Sequence, residues 1–345
     1  METWAQITVG AVALVLALVL PFAARPLLAR AGVLDVPNAR SSHSVPTIRG
    51  MGITTAVALA AAVLTAVFMP QTGAGNGAQL TLTVILAVVL AAAAIGWVED
   101  IKGLSVKVRA GLQLGVGGLA TAAVAVIDPG RQQLWLIPAG ALAVAAYINV
   151  TNFMDGINGI SGSHGLLVGG FYAYAGHLTG HSWLVYAGIA IALAFAGFLP
   201  WNLSRNKVFL GDVGSYLLGA AISVTAMCAF LAGVPVEYIF SPVLIYLTDT
   251  FVTFLRRLLA GERWYVAHRQ HVYQRLTIVG LGHVQATAVV AGATILVSVL
   301  GIIAAQGGEV AQIAATAAGF AVVLCYLRTP TLFQKLLRRR AAKAV

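Results

Sequence analysis

Charge is what this chain has least of. Asp, Glu, Lys and Arg together supply 9% of its 345 residues, against about 25% in a soluble domain. That shortage excludes a water-bathed globular fold. Cysteine is nearly absent too: Cys228 and Cys325 lie far apart inside apolar runs. This pattern excludes a disulfide framework and a cysteine metal cluster, and assigns both thiols to packing. Acidic residues are few, 11 against 21 Lys and Arg, for a net charge of +10. Such an excess can mark a nucleic-acid binder, but its distribution along the chain excludes one here. No internal repeat or low-complexity linker divides the sequence, so residues 1–345 are read as one integral membrane domain.

What is present is apolar, 59% of the residues. A helix needs about 20 such residues to cross the hydrocarbon core. That window predicts an all-α, polytopic protein of about eleven transmembrane helices, near 5–24, 51–69, 78–98, 107–127, 133–151, 160–179, 182–200, 215–234, 236–255, 284–304 and 309–327. The first run is expected to stay as a span, because Met1-Glu2-Thr3-Trp4 is no basic leader and the run is long for a signal peptide. With the N-terminus outside and the C-terminus cytoplasmic, 20 of the 21 Lys and Arg fall on one side and Arg131 alone on the other. This is the positive-inside bias. The tail Arg338-Arg339-Arg340 then reads as an anchor at anionic lipid.

The cytoplasmic segments are richer in polar groups than connectors need to be. They cover 35–52, 96–113, 149–162, 202–215 and 256–276. Asp155 and Asp212 each sit at the end of an apolar run beside glycines that let a ligand approach the backbone. A carboxylate at a phosphate site requires a cation between the two, so Mg²⁺ or Mn²⁺ is implied. Asn149, Asn152 and Asn158 offer neutral oxygens nearby. The plain alternative is that Asp155 and Asp212 cap helices; Glu99-Asp100, a third acidic end on the same side, favours the site. Asp249 lies inside a span, at a cost of about 2.5–3.5 kcal/mol on insertion scales, so a cationic partner is expected in Arg256 or Arg257. His164, His177 and His181 show no partner pattern and read as interfacial. Gly111-xxx-Gly115 is a small-residue packing face, for a contact within the chain or for a homodimer.

These residues resemble a known family. Arg40-Ser-Ser-His43 with Pro46 and Arg49-Gly50 comes first, then Glu99-Asp100 with Arg109-xxx-Gln113. Asn149-xx-Asn152-xx-Asp155-Gly156-xx-Gly159 and Val208-Phe-Leu-Gly-Asp212-x-Gly214-Ser215 follow, with Asp249, Arg256 and His268-xx-His271 last. In that order they are similar to the polyprenyl-phosphate N-acetylhexosamine-1-phosphate transferases, the MraY/WecA/WbpL group within glycosyltransferase family 4. The family usually has a pair of aspartates where this chain has Glu99-Asp100. The resemblance implies an Mg²⁺-dependent (or Mn²⁺-dependent) enzyme of the bacterial inner membrane, with its active site facing the cytoplasm. Undecaprenyl phosphate would attack the β-phosphorus of a UDP-N-acetylhexosamine, releasing UMP and starting a lipid-linked surface glycan. It implies Asn152 and Asp212 as metal ligands and Glu99, Asp100 and Asp155 as catalytic residues. His43, Arg49, Arg109, Asn149, Asn158, His268, Arg269 and His271 would bind substrate. A phosphomonoester is largely a dianion near neutrality, its second pKa being about 6. Glu99 and Asp100 therefore either orient the lipid phosphate or take up a residual proton.

The 256–276 loop bears on the donor. Trp264 and Tyr265 supply aromatic faces for a substrate or for an interfacial belt. His268-Arg269-x-His271-x-Tyr273-Gln274-Arg275 resembles the WbpL-type branch that begins O-antigen, which implies a 6-deoxy N-acetylhexosamine and refusal of UDP-MurNAc-pentapeptide. Two other classes compete. An ion-coupled transporter of a phosphorylated or lipid-linked solute would suit the span count and Asp249, but transporters gather polar groups near the midplane. A CDP-alcohol phosphotransferase needs further aspartates after its Asp-Gly, and Asp155-Gly156 is followed by Ile-Asn-Gly-Ile-Ser.

Overall fold

A computed structural model describes residues 2–37, 45–69, 76–127, 136–204, 208–263 and 268–343. His43 and Arg40 of the first loop, Arg131, and Trp264 and Tyr265 lie outside the described residues. The elements run α1 (Glu2–Arg30), β1 (Leu34–Asp35), β2 (Thr47–Ile48), α2 (Gly52–Phe68), α3 (Asn76–Lys102), α4 (Val106–Ile127), α5 (Leu136–Met154), α6 (Ile160–Thr179) and α7 (Ser182–Leu203). They continue with α8 (Gly211–Leu231), α9 (Val236–Phe240), α10 (Leu244–Leu259), α11 (Val272–Ile278), α12 (His283–Gln306) and α13 (Glu309–Lys343).

The protein is an all-α, multi-pass membrane protein, and the two-residue strands form a ribbon only. Each of the eleven apolar runs is mainly helical over its described residues. Among the described residues nine helices are long and apolar enough to cross a membrane. The other two runs are the 17-residue α2 and the glycine-rich α6, whose polar and small residues dilute its apolar content. The span at 236–255 is not one regular helix, since a 3₁₀ turn at Ser241–Val243 containing Pro242 separates α9 from α10. Proline lacks the amide that would continue the ladder.

Helix α8 lies at the centre, packed on α3 and α5, while α1 and α6 flank α7 and α12 pairs with α13. Glycine permits the close contacts at one end of this bundle. A side chain on Gly96 of α3 would collide with the backbone of Asp212, and one on Gly52 of α2 with Gly214. Three helices thus meet backbone to backbone beside Asp212. By contrast Gly111 and Gly115 face open space, and Gly117, further along α4, packs on Ala141 of α5. The expected packing of Gly111-xxx-Gly115 within the chain is corrected on that ground. Cys228 is buried as expected, whereas Cys325 is exposed on α13.

Candidate active site

The site forms where the C-terminal ends of α3 and α5 meet the N-terminus of α8. Residues 208–210 run beside 48–52: Phe209 N–H donates to Ile48 O at 2.8 Å, Met51 N–H to Phe209 O at 3.1 Å, and Gly52 N–H to Leu210 O at 2.8 Å. The ribbon adds its antiparallel register, Leu34 with Ile48 and Asp35 with Thr47. Arg49 is thereby fixed over the start of α8.

Arg49 bridges two carboxylates. Its Nε lies 2.6 Å from Asp100 Oδ1 and its Nη2 2.6 Å from Asp212 Oδ2. Burial weakens the guanidinium's charge, but Asp212 and Asp100 outweigh it and hold Arg49 above its ordinary pKa. Asp100 does a second task. Its oxygens accept from the Asp212 amide at 3.0 Å and the Val213 amide at 2.9 Å, satisfying free donors at the start of α8. The capping that the plain alternative gave to Asp212 is supplied by Asp100, and Asp212 points its carboxylate elsewhere. Gly211 makes this contact possible: its φ is +75°, and a Cβ there would stand 2.5 Å from Asp100 Oδ2.

Asp212 Oδ1 accepts from Asn152 Nδ2 at 2.7 Å, and the same nitrogen lies 3.1 Å from Ser215 Oγ. The oxygen and nitrogen of that amide interchange on a half-turn, so Asp212 and Asn152 can offer two hard oxygens to one point. Asp212's side chain keeps 16% of its surface open. Among the described residues no group of three or more His, Cys, Asp or Glu is placed to hold a metal ion. The pair fits an ion that takes few protein ligands and completes its shell with phosphate and water, as Mg²⁺ does.

The acidic pair divides. Glu99 turns from Asp100 to accept from Arg109 Nη1 at 3.1 Å and from the Leu104 amide at 2.7 Å. Successive helical residues point about 100° apart, so one carboxylate enters the α8 cluster and the other closes the α3–α4 turn. Asn149 donates to Gln113 Oε1 at 2.6 Å and to Ala145 O at 2.8 Å. Asp155, just beyond α5, accepts from Ser161 Oγ at 2.7 Å. Burial pushes its carboxyl up to about 7; the Ser161 hydroxyl opposes the shift and Asp212 adds to it. Asn158 is tied through its backbone, its N–H to His283 Nδ1 at 3.3 Å and its carbonyl to Thr287 at 3.1 Å.

Asn202 earned no role from sequence and has one here. It accepts from the Gly159 amide at 2.5 Å and donates to Val208 O at 2.9 Å, joining the Asp155 loop to the segment that leads into α8. Its place at the end of an apolar run was the available signal.

The α10–α11 loop closes the other side. His268 is half-buried, and burial, with His271 and Arg257 adding, pulls its ring down to about 4. Arg269 is partly exposed beside it. His271 is buried, with its Nδ1 3.1 Å from Asp249 Oδ1. Tyr273 O–H donates to Phe153 O at 2.9 Å and lies against Gly156, docking the loop on the end of α5. The expected pairing of Asp249 with Arg256 or Arg257 is not found: Arg257 binds Glu262 at 2.8 Å and the Arg263 carbonyl at 2.9 Å. His164 is not interfacial either. It is 3% exposed, hydrogen-bonded to Tyr147 O–H at 2.8 Å and stacked on Tyr246 at 3.5 Å.

The fold and the site define a helical membrane protein with an Arg–carboxylate–amide cluster at its helix ends. Residues 82–230 match the family model described as Glycosyl transferase family 4. The chain is 29% identical over 300 residues to the decaprenyl-phosphate N-acetylglucosaminephosphotransferase of Mycobacterium tuberculosis, covering 75% of this chain and 72% of the relative. It is 27% identical over 266 residues to the probable undecaprenyl-phosphate N-acetylglucosaminyl 1-phosphate transferase of Bacillus subtilis, covering 73% and 72%. A shorter stretch of 94 residues, 27% of this chain and 29% of the relative, is 39% identical to a phospho-N-acetylmuramoyl-pentapeptide-transferase of Clostridium botulinum. The family match takes in Glu99, Asp100, Arg109, Asn149, Asn152, Asp155 and Asp212, but not Arg49 or the 268–271 loop.

Proposed function

We propose that this chain transfers an N-acetylhexosamine 1-phosphate from a UDP-linked donor to undecaprenyl phosphate. An oxygen of the lipid phosphate bonds to the β-phosphorus of the donor, the bond to UMP breaks, and a lipid-linked pyrophosphoryl sugar remains. The observation that carries this reading is the Arg49–Asp100–Asp212–Asn152 cluster, seven-tenths of whose chain is similar to enzymes named for this kind of transfer. The excess of basic residues in the loops at this end favours a cytoplasmic site in a bacterial inner membrane, where the nucleotide donor is dissolved.

Each residue has a part in that reading. Asp212 and Asn152 hold Mg²⁺ or Mn²⁺, and a divalent ion there supplies neutralisation of the diphosphate and of the departing UMP. Arg49 orients phosphate oxygens with its planar fork of donors. Asp100 positions Arg49 and the first turn of α8. Asp155 holds a proton near neutrality and passes to the carboxylate above it. Arg109, steadied by Glu99, lies toward the lipid phosphate. Arg269 and the neutral ring of His268 donate to the donor's diphosphate. The same loop favours a 6-deoxy N-acetylhexosamine and the opening step of an O-antigen; the relatives' names favour N-acetylglucosamine.

The test is transfer of label into lipid by membranes carrying the protein, with undecaprenyl phosphate, Mg²⁺ and a panel of UDP-sugars. UDP-N-acetylhexosamines are expected to react and UDP-MurNAc-pentapeptide to be refused. EDTA should abolish transfer and Mn²⁺ restore it. Asp212→Asn should cost more than the roughly 10–100-fold typical of outer partners of a metal site. Full activity in EDTA would remove the metal from this reading, and failure of every UDP-sugar would remove the reading itself. Equal use of UDP-N-acetylglucosamine and the 6-deoxy donors would remove the branch preference.

A further inference from the structure

Asp249 is fully buried in α10, within a membrane span. Its carboxylate is nonetheless surrounded by donors. Oδ1 lies 3.1 Å from His271 Nδ1 and 3.3 Å from Thr253 Oγ1; the Val272 amide reaches both oxygens, at 3.0 and 3.1 Å; and Tyr326 O–H donates to Oδ2 at 2.7 Å. Thr253 is one helical turn away. The other donors come from the start of α11 and from α13, where Tyr326 is 77 residues distant in sequence.

A charge this deep is kept only where its partners satisfy it. Three of the four donors here do more than satisfy it. The Val272 amide is the first of α11, so Asp249 fixes where the loop ends and the helix begins. Its hold on Nδ1 sets the ring plane of His271 and, with a proton on that nitrogen, its tautomer. His268 lies next to that ring, tilted by 32° with centroids 4.9 Å apart, so the orientation passes along the loop. Tyr326 donates to Oδ2 from α13, a helix that packs on α10 and α11.

We infer that Asp249 is a positioning residue for donor binding: held by Tyr326, it orients His271 and docks residues 268–272 so that the loop meets the diphosphate of the UDP-sugar. This rests on the function proposed above. It also assigns α13, outside the matched family region, a role at the site through one phenol.

The experiment uses the full chain in detergent with lipid, comparing wild type, Tyr326→Phe and Asp249→Asn. Hydrogen exchange is read on peptides covering 268–276. Steady-state kinetics are read with UDP-N-acetylglucosamine as the donor probe, varying donor and undecaprenyl phosphate separately. Tyr326→Phe is the mild variant: it keeps the ring and removes one hydrogen bond to a charged group, an effect of about tenfold. The expected result is faster exchange of the loop in both variants and a KM for the donor raised about tenfold. The KM for the lipid and kcat should stay within about twofold in Tyr326→Phe. Unchanged loop exchange in Tyr326→Phe would overturn the inference, as would an equal rise in both KM values. If wild type uses no UDP-sugar, the proposed function falls, while loop exchange still decides whether Asp249 and Tyr326 dock the loop.

Discussion

Asp155 and the Glu99–Asp100 pair make separable claims at the scale of single residues. Because burial lifts Asp155 to about 7, its carboxyl is neutral below that pH and anionic above it. If the anion is the working form, kcat/KM should climb between about pH 6 and 8, with the limb set by the free protein. The lipid phosphate ionises near 6 and adds a lower limb of its own. Asp155→Asn should erase the upper limb and leave the lower; a pH profile unchanged by this substitution would rule out titration of Asp155 as the source. The acidic pair should split in effect. Glu99→Gln keeps one oxygen for either the Leu104 amide or Arg109, and loses an ion pair of about 0.2–1 kcal/mol, the range for surface pairs. Asp100→Asn breaks a buried pairing and, with one acceptor oxygen left, one of the two helix-end hydrogen bonds, on the order of 3–5 kcal/mol, lessened because Arg49 retains Asp212. Thermal unfolding in detergent should show Asp100→Asn as the less stable, and the activity loss should follow the same order.

At the scale of elements, the start of α8 invites a paired substitution. Gly211 and Gly103 both have positive φ, +75° and +66°, so alanine costs each about 1–2 kcal/mol in backbone terms. Only Gly211 has neighbours in the way; nothing lies within 4 Å of a Cβ at Gly103. Gly103→Ala should lower stability and spare the rate. Gly211→Ala should also displace Asp100, with a rate loss of about a hundredfold, as for a 1 Å misplacement. Equal rate losses would show that the close contact is not what matters. The elements themselves were legible in the sequence, since a 20-residue apolar window is a strong local signal and each of the eleven runs is mainly helical. The ends were less so: α3 runs on to Lys102 and α13 to Lys343, because a helix does not stop where its apolar residues do. Asp212 stood out through its glycine neighbours. The partners of Asp249 did not, since Tyr326 and His271 reach it from separate parts of the chain and no local spacing encodes that meeting. His164 misled for the same reason, its partners Tyr147 and Tyr246 lying on two other helices.

For the whole molecule the open measurement is orientation. With the N-terminus outside, Glu309 falls on the outer face and Ser105 on the inner. Single cysteines at these positions, in a Cys228→Ala, Cys325→Ser background, should react with a membrane-impermeant maleimide from opposite sides of sealed vesicles. Labelling of Ser105→Cys in intact cells would reverse the topology and with it the placement of the site. The position of Asp100 has a consequence of another kind. One carboxylate carries both the ionic contact to Arg49 and the first turn of the central helix. A compound that seized this cluster would grip a residue whose replacement undoes the helix along with the contact. Cells selected for survival against such a compound should therefore carry their changes elsewhere than at Asp100.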